Sequence, residues 1–164
     1  MGDPSTDAEL ASIERTIDSW LAEQLADNPV VAAVERGEPG QRRWYVRVLG
    51  EDKDVYTIWF TLGQRTLAFE SYFMPSPEEN REACFAHLLG RNRALFGLAF
   101  SIGEEDAIFL SGQLPNGGVD ADELDRVLGT FYATVEQCFL AAVRLGFASR
   151  FPPKGAAGDS QQPH

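Results

Sequence analysis

The feature that most constrains this chain is a run of three alternating segments, Arg43–Leu49, Val55–Leu62 and Thr66–Met74, joined only by Gly50–Asp54 and Gly63–Arg65. Each places large apolar or β-branched residues at every second position, the pattern of strands. Links this short close antiparallel hairpins, because a parallel crossover needs a dozen residues or more. A meander is therefore dictated before any helix is considered. Val30–Arg36, short and β-branched, precedes it across a Gly37–Gly40 turn and supplies a fourth strand.

The hairpins also predict a register. If Leu49 opposes Val55, then Trp44, Val46 and Val48 share a face with Phe60, Ile58 and Tyr56, since side chains alternate across a strand. A turn at Gln64-Arg65 adds Leu67, Phe69, Ser71 and Phe73 to it. This face is nearly all apolar and is the one that helices must cover. The opposite face gathers Tyr45, Arg47, Leu49, Val55, Thr57, Trp59, Thr61, Ala68, Glu70, Tyr72 and Met74. Apolar atoms form more than half of any protein surface. The telling feature is instead the excess of Tyr, Trp, Met and Arg over lysine, which is the composition of protein contacts. Tyr45, Arg47, Trp59, Glu70, Tyr72 and Met74 are accordingly the expected partner-binding surface, with a groove beside the first helix as the other candidate.

Three helices complete the reading. Thr6 and Glu9 form a capping box ahead of Leu10, Ile13, Ile17, Trp20, Leu21 and Leu25, and Asn28-Pro29 ends that helix. Ser76-Pro77-Glu78-Glu79 predicts a second capped start, for a helix burying Cys84, Leu88, Leu89 and Leu95. A second hairpin is expected from Gly97–Ile102 and Ala107–Gly112, with Leu114–Val119 as a loop. Asp120 and Glu123 then cap a long helix stopping at Gly146. The order α-β-β-β-β-α-β-β-α predicts an α+β fold, an antiparallel sheet with its helices largely on one face. One domain is expected over residues 7–150, with 151–164 a disordered tail rich in Pro, Gly, Gln and Ala.

Charge narrows the partners. Lys and Arg number 14 against 25 Asp and Glu, a formal charge of −11, which opposes phosphate backbones and argues against nucleic acid. The exception is residues 41–75, where Arg42, Arg43, Arg47, Lys53 and Arg65 outnumber the acids by one. No apolar run approaches the roughly 20 residues of a membrane span, and no signal-like segment opens the chain, so a soluble, cytoplasmic protein is expected.

Chemistry is hard to find. No GxSxG, GxxxxGK[ST], HExxH or GxGxxG pattern occurs. Cys84 and His87 fall on one helical face, but no third residue has the spacing to orient them, so a packed thiol is the expected role. Cys138 is likewise read as a reduced, packed cysteine. Glu104-Glu105-Asp106 lacks the ligand spacing and the glycine of a calcium loop. No catalytic residue, metal or cofactor is expected.

The stretch His87-Leu-Leu-Gly-Arg-Asn-Arg-Ala-Leu-Phe-Gly-Leu-Ala-Phe-Ser-Ile102 resembles the YbjN-domain family, in its actinobacterial branch. So do Ser76-Pro-Glu-Glu-Asn80, Gly112-Gln-Leu-Pro115, Val119-Asp-Ala-Asp-Glu-Leu-Asp-Arg-Val-Leu-Gly129 and Leu145-Gly-Phe-Ala148. The resemblance covers about residues 10–150. It implies the type III secretion chaperone fold, commonly a homodimer that holds another polypeptide or takes part in signalling, and not an enzyme. The resulting expectation is a non-catalytic, homodimeric, chaperone-like module with a protein client. The alternative is a regulatory module sensing a small ligand between sheet and last helix.

Overall fold

Helix α1 (Asp7–Asp27) starts at Thr6, whose hydroxyl accepts from the Glu9 N–H while the Glu9 carboxylate accepts from the Thr6 N–H, so the predicted capping box is formed. Strands β1 (Val31–Arg36), β2 (Arg43–Leu49), β3 (Val55–Leu62) and β4 (Thr66–Met74) follow, then helix α2 (Arg81–Asn92), strands β5 (Ala99–Ile102) and β6 (Ile108–Pro115), and helix α3 (Ala121–Gly146). The computed structural model describes residues 2–151, and the tail expected beyond Phe151 lies outside the described residues. The architecture is α+β, as expected from the element order.

All strand pairs are antiparallel, in the order β1-β2-β3-β4-β6-β5. The hairpin register agrees with the sequence expectation: Leu49 faces Val55, Trp44 faces Phe60 and Val46 faces Ile58. Leu62 faces Leu67 and Phe60 faces Phe69. Side-chain parity consequently puts Trp44, Val46, Val48, Tyr56, Ile58, Phe60, Leu67, Phe69, Ser71 and Phe73 on one buried face. Helices α1 and α3 lie over it. Trp20 of α1 meets Phe60 edge-on at 6.1 Å, Phe131 of α3 meets Phe69 at 6.0 Å, and Phe139 meets Phe73 at 5.6 Å. Edge-to-face rings at these distances add attraction beyond the area they bury. The space between sheet and last helix, where a small ligand was an alternative expectation, is filled with these rings.

Four expectations need correction. First, Ser76–Glu79 does not cap α2. The N–H groups of Glu78 and Glu79 both donate to the Gly146 carbonyl, and the Glu79 carboxylate accepts from Ser149 N–H. The segment is thus claimed by the end of α3, and α2 starts later, after Asn80 at φ 48°. Second, Met74 leaves the open sheet face. A bulge between Tyr72 and Met74 breaks the period-two alternation, so Phe73 and Met74 are both buried. Third, Leu89 is 66% exposed, because it directly follows Leu88 and so stands about 100° around α2 from the buried stripe of Cys84 and Leu88. Fourth, β6 continues to Pro115, which pairs with Thr66 at the strand's end where a missing N–H costs little. Gly112 on this strand is obligatory, since a Cβ there would collide with the Gly97 carbonyl and the Phe69 ring.

Candidate protein-binding surface

Alternation leaves the other side of the sheet without a helix. Across its centre, Tyr45 of β2, Trp59 of β3, Glu70 of β4 and Ser111 of β6 stand in register. Tyr72 faces Phe109 one step along. Phe109 knits the aromatic cluster together, meeting Tyr72 edge-on at 5.7 Å and Trp59 at 6.4 Å. Five of the six residues expected from the sequence therefore share this face: Tyr45, Arg47, Trp59, Glu70 and Tyr72. None of the aromatic three lies under a helix; Tyr45 and Trp59 are half-buried and Tyr72 is exposed. Met74 is the exception, displaced by the bulge. Phe109 was missed, because hairpin parity says nothing about which strand joins β4 on its far side.

The face is electrically divided. On β2, Arg47 is exposed and Arg43 donates from Nε to Thr61 Oγ1 at 3.2 Å. Ala33, Glu35, Tyr45, Arg47 and Thr57 line a depression of about 190 Å³ on that half. On the other half the β5–β6 turn folds against the aromatic cluster. Gly103 lies so close to the Phe109 ring that a Cβ would collide with it. That approach brings Glu104 and Glu105 near β4. Burial, and then the Glu104 charge, push the Glu70 carboxyl above its ordinary range. Burial and the Glu105 charge push the Tyr72 phenol up in the same way. At the end of the sheet the Lys53 ammonium sits 4.6 Å over the Phe139 ring and 5.8 Å from Tyr72, and burial lowers its pKa.

Two further apolar surfaces lie on the helical side. Between α2 and β5 a groove of about 300 Å³ is lined by Phe85, Leu88, Leu89, Phe100, Ile102 and Ile108. Leu89 and Ile102, 66% and 55% exposed, form its lips. Beside α1, Leu21, Leu25, Val34 and Trp44 line a smaller groove of about 200 Å³. Arg36 closes that groove's rim by pairing with Glu14 and Asp18 at 3.1 and 3.2 Å.

The candidate chemical groups are occupied structurally. Cys84 is buried, and its thiol donates to the Ala142 carbonyl at 3.6 Å rather than to His87. Burial raises its pKa, outweighing the opposing pull of Arg81, which suppresses the thiolate that nucleophilic chemistry needs. Among the described residues, no three His, Cys, Asp or Glu side chains are grouped to hold a metal ion. Among those residues, too, no helix is long and apolar enough to cross a membrane.

The YbjN family model, described as "Putative bacterial sensory transduction regulator", matches residues 16–143, from the middle of α1 to near the end of α3. The chain belongs to the YbjN family. An uncharacterized protein of Mycobacterium tuberculosis is 38% identical over 104 residues, covering 63% of this chain and 57% of that protein. One of Mycobacterium leprae is 34% identical over 110 residues, covering 67% and 60%. This YbjN chain thus spans less than two thirds of the curated relatives that it matches. Its fold is that of type III secretion chaperones. The Yersinia pestis chaperone SycH, solved with a stable fragment of YscM2, aligns with a TM-score of 0.51 at 14% identity over 77% of this chain and 98% of that one. ExsC–ExsE and the HopA1–SchA chaperone–effector complex each align at 0.54, with 17% and 11% identity. The former match covers 86% of this chain and 96% of that one, the latter 82% and 98%.

Proposed function

We propose that this YbjN protein is a cytoplasmic, non-catalytic, chaperone-like binding module that acts as a homodimer and holds a client polypeptide. The observation that carries this reading is the one-sided sheet: helices cover a single face, and the other presents Trp59, Tyr72 and Phe109 as a preformed aromatic cluster. Aromatic anchors beside polar tips are the residues that dominate protein contacts. The α2–β5 groove supports the reading further. It lies on the opposite side, beside the edge strand β5, whose outward Phe100 N–H and carbonyl are already bonded by the Asn92 side chain, so the groove offers apolar side chains rather than a free strand edge. Two separate apolar surfaces suit a module that meets both a twin and a client. The fold neighbours include a chaperone solved with a fragment of another protein and a chaperone–effector complex, which supports the same class of activity by analogy.

Light scattering over a concentration series, with fluorescence anisotropy of a labelled, permanently unfolded model polypeptide, tests this. The wild type is expected to be dimeric and to bind the polypeptide. Trp59→Asp, on a half-buried and helix-free position, is expected to keep the circular dichroism spectrum and lose at least one of the two interactions. A wild type that is monomeric and binds nothing sinks the proposal.

A further inference from the structure

The helix-free face has two halves of opposite sign. Arg43 and Arg47 stand on β2 and outnumber the one acid beside them, Glu35 of β1, while Glu70 on β4 and Glu104 and Glu105 in the β5–β6 turn stand on the other half, with the aromatic cluster adjoining them. None of these six forms an ion pair among the described residues, although Arg36, Arg42, Arg126 and Arg150 all do. A twofold interface requires one patch to be its own complement. Rotation by half a turn about an axis along the strands exchanges the β2 half with the β6 half and keeps positions along the strands. Arg47 shares a level with Thr57, and Tyr72 shares one with Phe109 and Ser101, just short of the acidic turn.

We propose that this face is where two copies of the chain meet, sheet against sheet about such an axis, with Arg47 of each copy over the Glu104–Glu105 turn of the other. The inference rests on the homodimer reading above and specifies its surface. The shape agrees with the charge: the ridge of Tyr72 and Phe109 is carried over the depression that Ala33, Tyr45 and Thr57 line. Sheets pack face to face with strands within about 30° of alignment, which this rotation permits. Six strands about 4.8 Å apart and some seven residues long present a face of roughly 600 Å² before side-chain relief enlarges it. A standard interface buries about 800 Å² per partner, so the face is of the right order. Each chain carries a formal charge of −11, so two copies repel at a distance and only a locally matched patch brings them together. The like-charge crowding of Glu70 and Glu104 within one chain is relieved when the partner's Arg47 arrives. The α2–β5 groove, on the far side of the sheet, stays open for the client.

The test is a charge exchange read by sedimentation equilibrium. Arg47→Glu and Glu104→Arg, both at exposed sites, should each weaken self-association by about tenfold or more while leaving the circular dichroism spectrum of the folded chain unchanged. An equimolar mixture of the two variants should associate within a few-fold of the wild type, because the exchanged charges match again. Leu89→Lys in the α2–β5 groove should leave the dimer intact. A dimer unaffected by both charge variants but broken by Leu89→Lys overturns the face assignment and leaves the homodimer standing. Weakened single variants that do not recover when mixed overturn the twofold arrangement. A monomeric wild type overturns this inference together with the homodimer reading. A monomer whose Arg47→Glu variant no longer binds the unfolded polypeptide makes the face a client site.

Discussion

At the scale of single residues, the two cysteines show how burial silences chemistry that a sequence pattern would allow. Cys84 and Cys138 are both buried free thiols whose pKa values are raised by desolvation, against weaker opposing pulls from Arg81 and Arg91. A raised folded value means that the native chain keeps its thiol protons at pH values where the unfolded chain has lost them. Stability is therefore full below the ordinary thiol range and falls as pH rises through it towards the raised folded values. In the native protein at neutral pH neither thiol should react with Ellman's reagent on the timescale of exposed cysteines, whereas both should react in guanidinium. Rapid labelling of Cys84 in the native state would contradict this account. The packed role of Cys84 was legible from its place on the apolar stripe of α2. The exposure of Leu89 was not, because the helical period alone does not say how wide a stripe of α2 its neighbours cover.

At the scale of elements, the hairpins were the most legible part of the chain and the start of α2 the least. Short links leave β2, β3 and β4 only one pairing each, so local sequence determines register and face. A capping box is different, because its donors are also available to any carbonyl that tertiary packing brings close. Here the Gly146 carbonyl takes the Glu78 and Glu79 N–H groups, and Asn80 turns the chain with a left-handed backbone while its side chain donates to the Leu145 carbonyl at 2.9 Å. Asn80→Ala loses that hydrogen bond and places a Cβ-bearing residue of low left-handed tolerance at φ 48°, costing about 1–2 kcal/mol. Asn80→Gly loses only the hydrogen bond and relaxes the backbone, so it should be clearly the milder change. Urea denaturation of the two variants decides the matter, and equal losses would show that backbone strain contributes nothing. The same limit explains Met74. Alternation predicts its face correctly up to Tyr72, but a bulge is an extra residue that period-two counting cannot detect.

At the scale of the whole molecule, what the sequence could not show is how its distant halves meet. The insertion of β6 between β4 and β5 pairs strands separated by α2, and neither strand's composition announces that choice. Phe109 joins Trp59 and Tyr72 only because of it, so the ring that links the other two was invisible to local reading. The helical layer is closed in a similar way. Asp125 near the start of α3 accepts from the buried Trp20 Nε1 at 2.7 Å and from Gln24 at 3.2 Å, tying α1 to α3 across 105 residues of sequence. An indole N–H that loses its partner in a closed layer costs more than the bond alone is worth. Asp125→Ala should therefore destabilise the fold by about 1–3 kcal/mol. Trp20→Phe removes the donor together with some packing, so its own loss mixes two causes. In the double variant the hydrogen bond is already gone, and a double-mutant cycle should return a coupling of about 1–2 kcal/mol between the two positions. Strict additivity would mean that the Trp20–Asp125 bond contributes nothing to holding α1 against α3. The helical layer would then owe none of its alignment to this polar bond, and the open sheet face opposite it would have to be positioned by core packing.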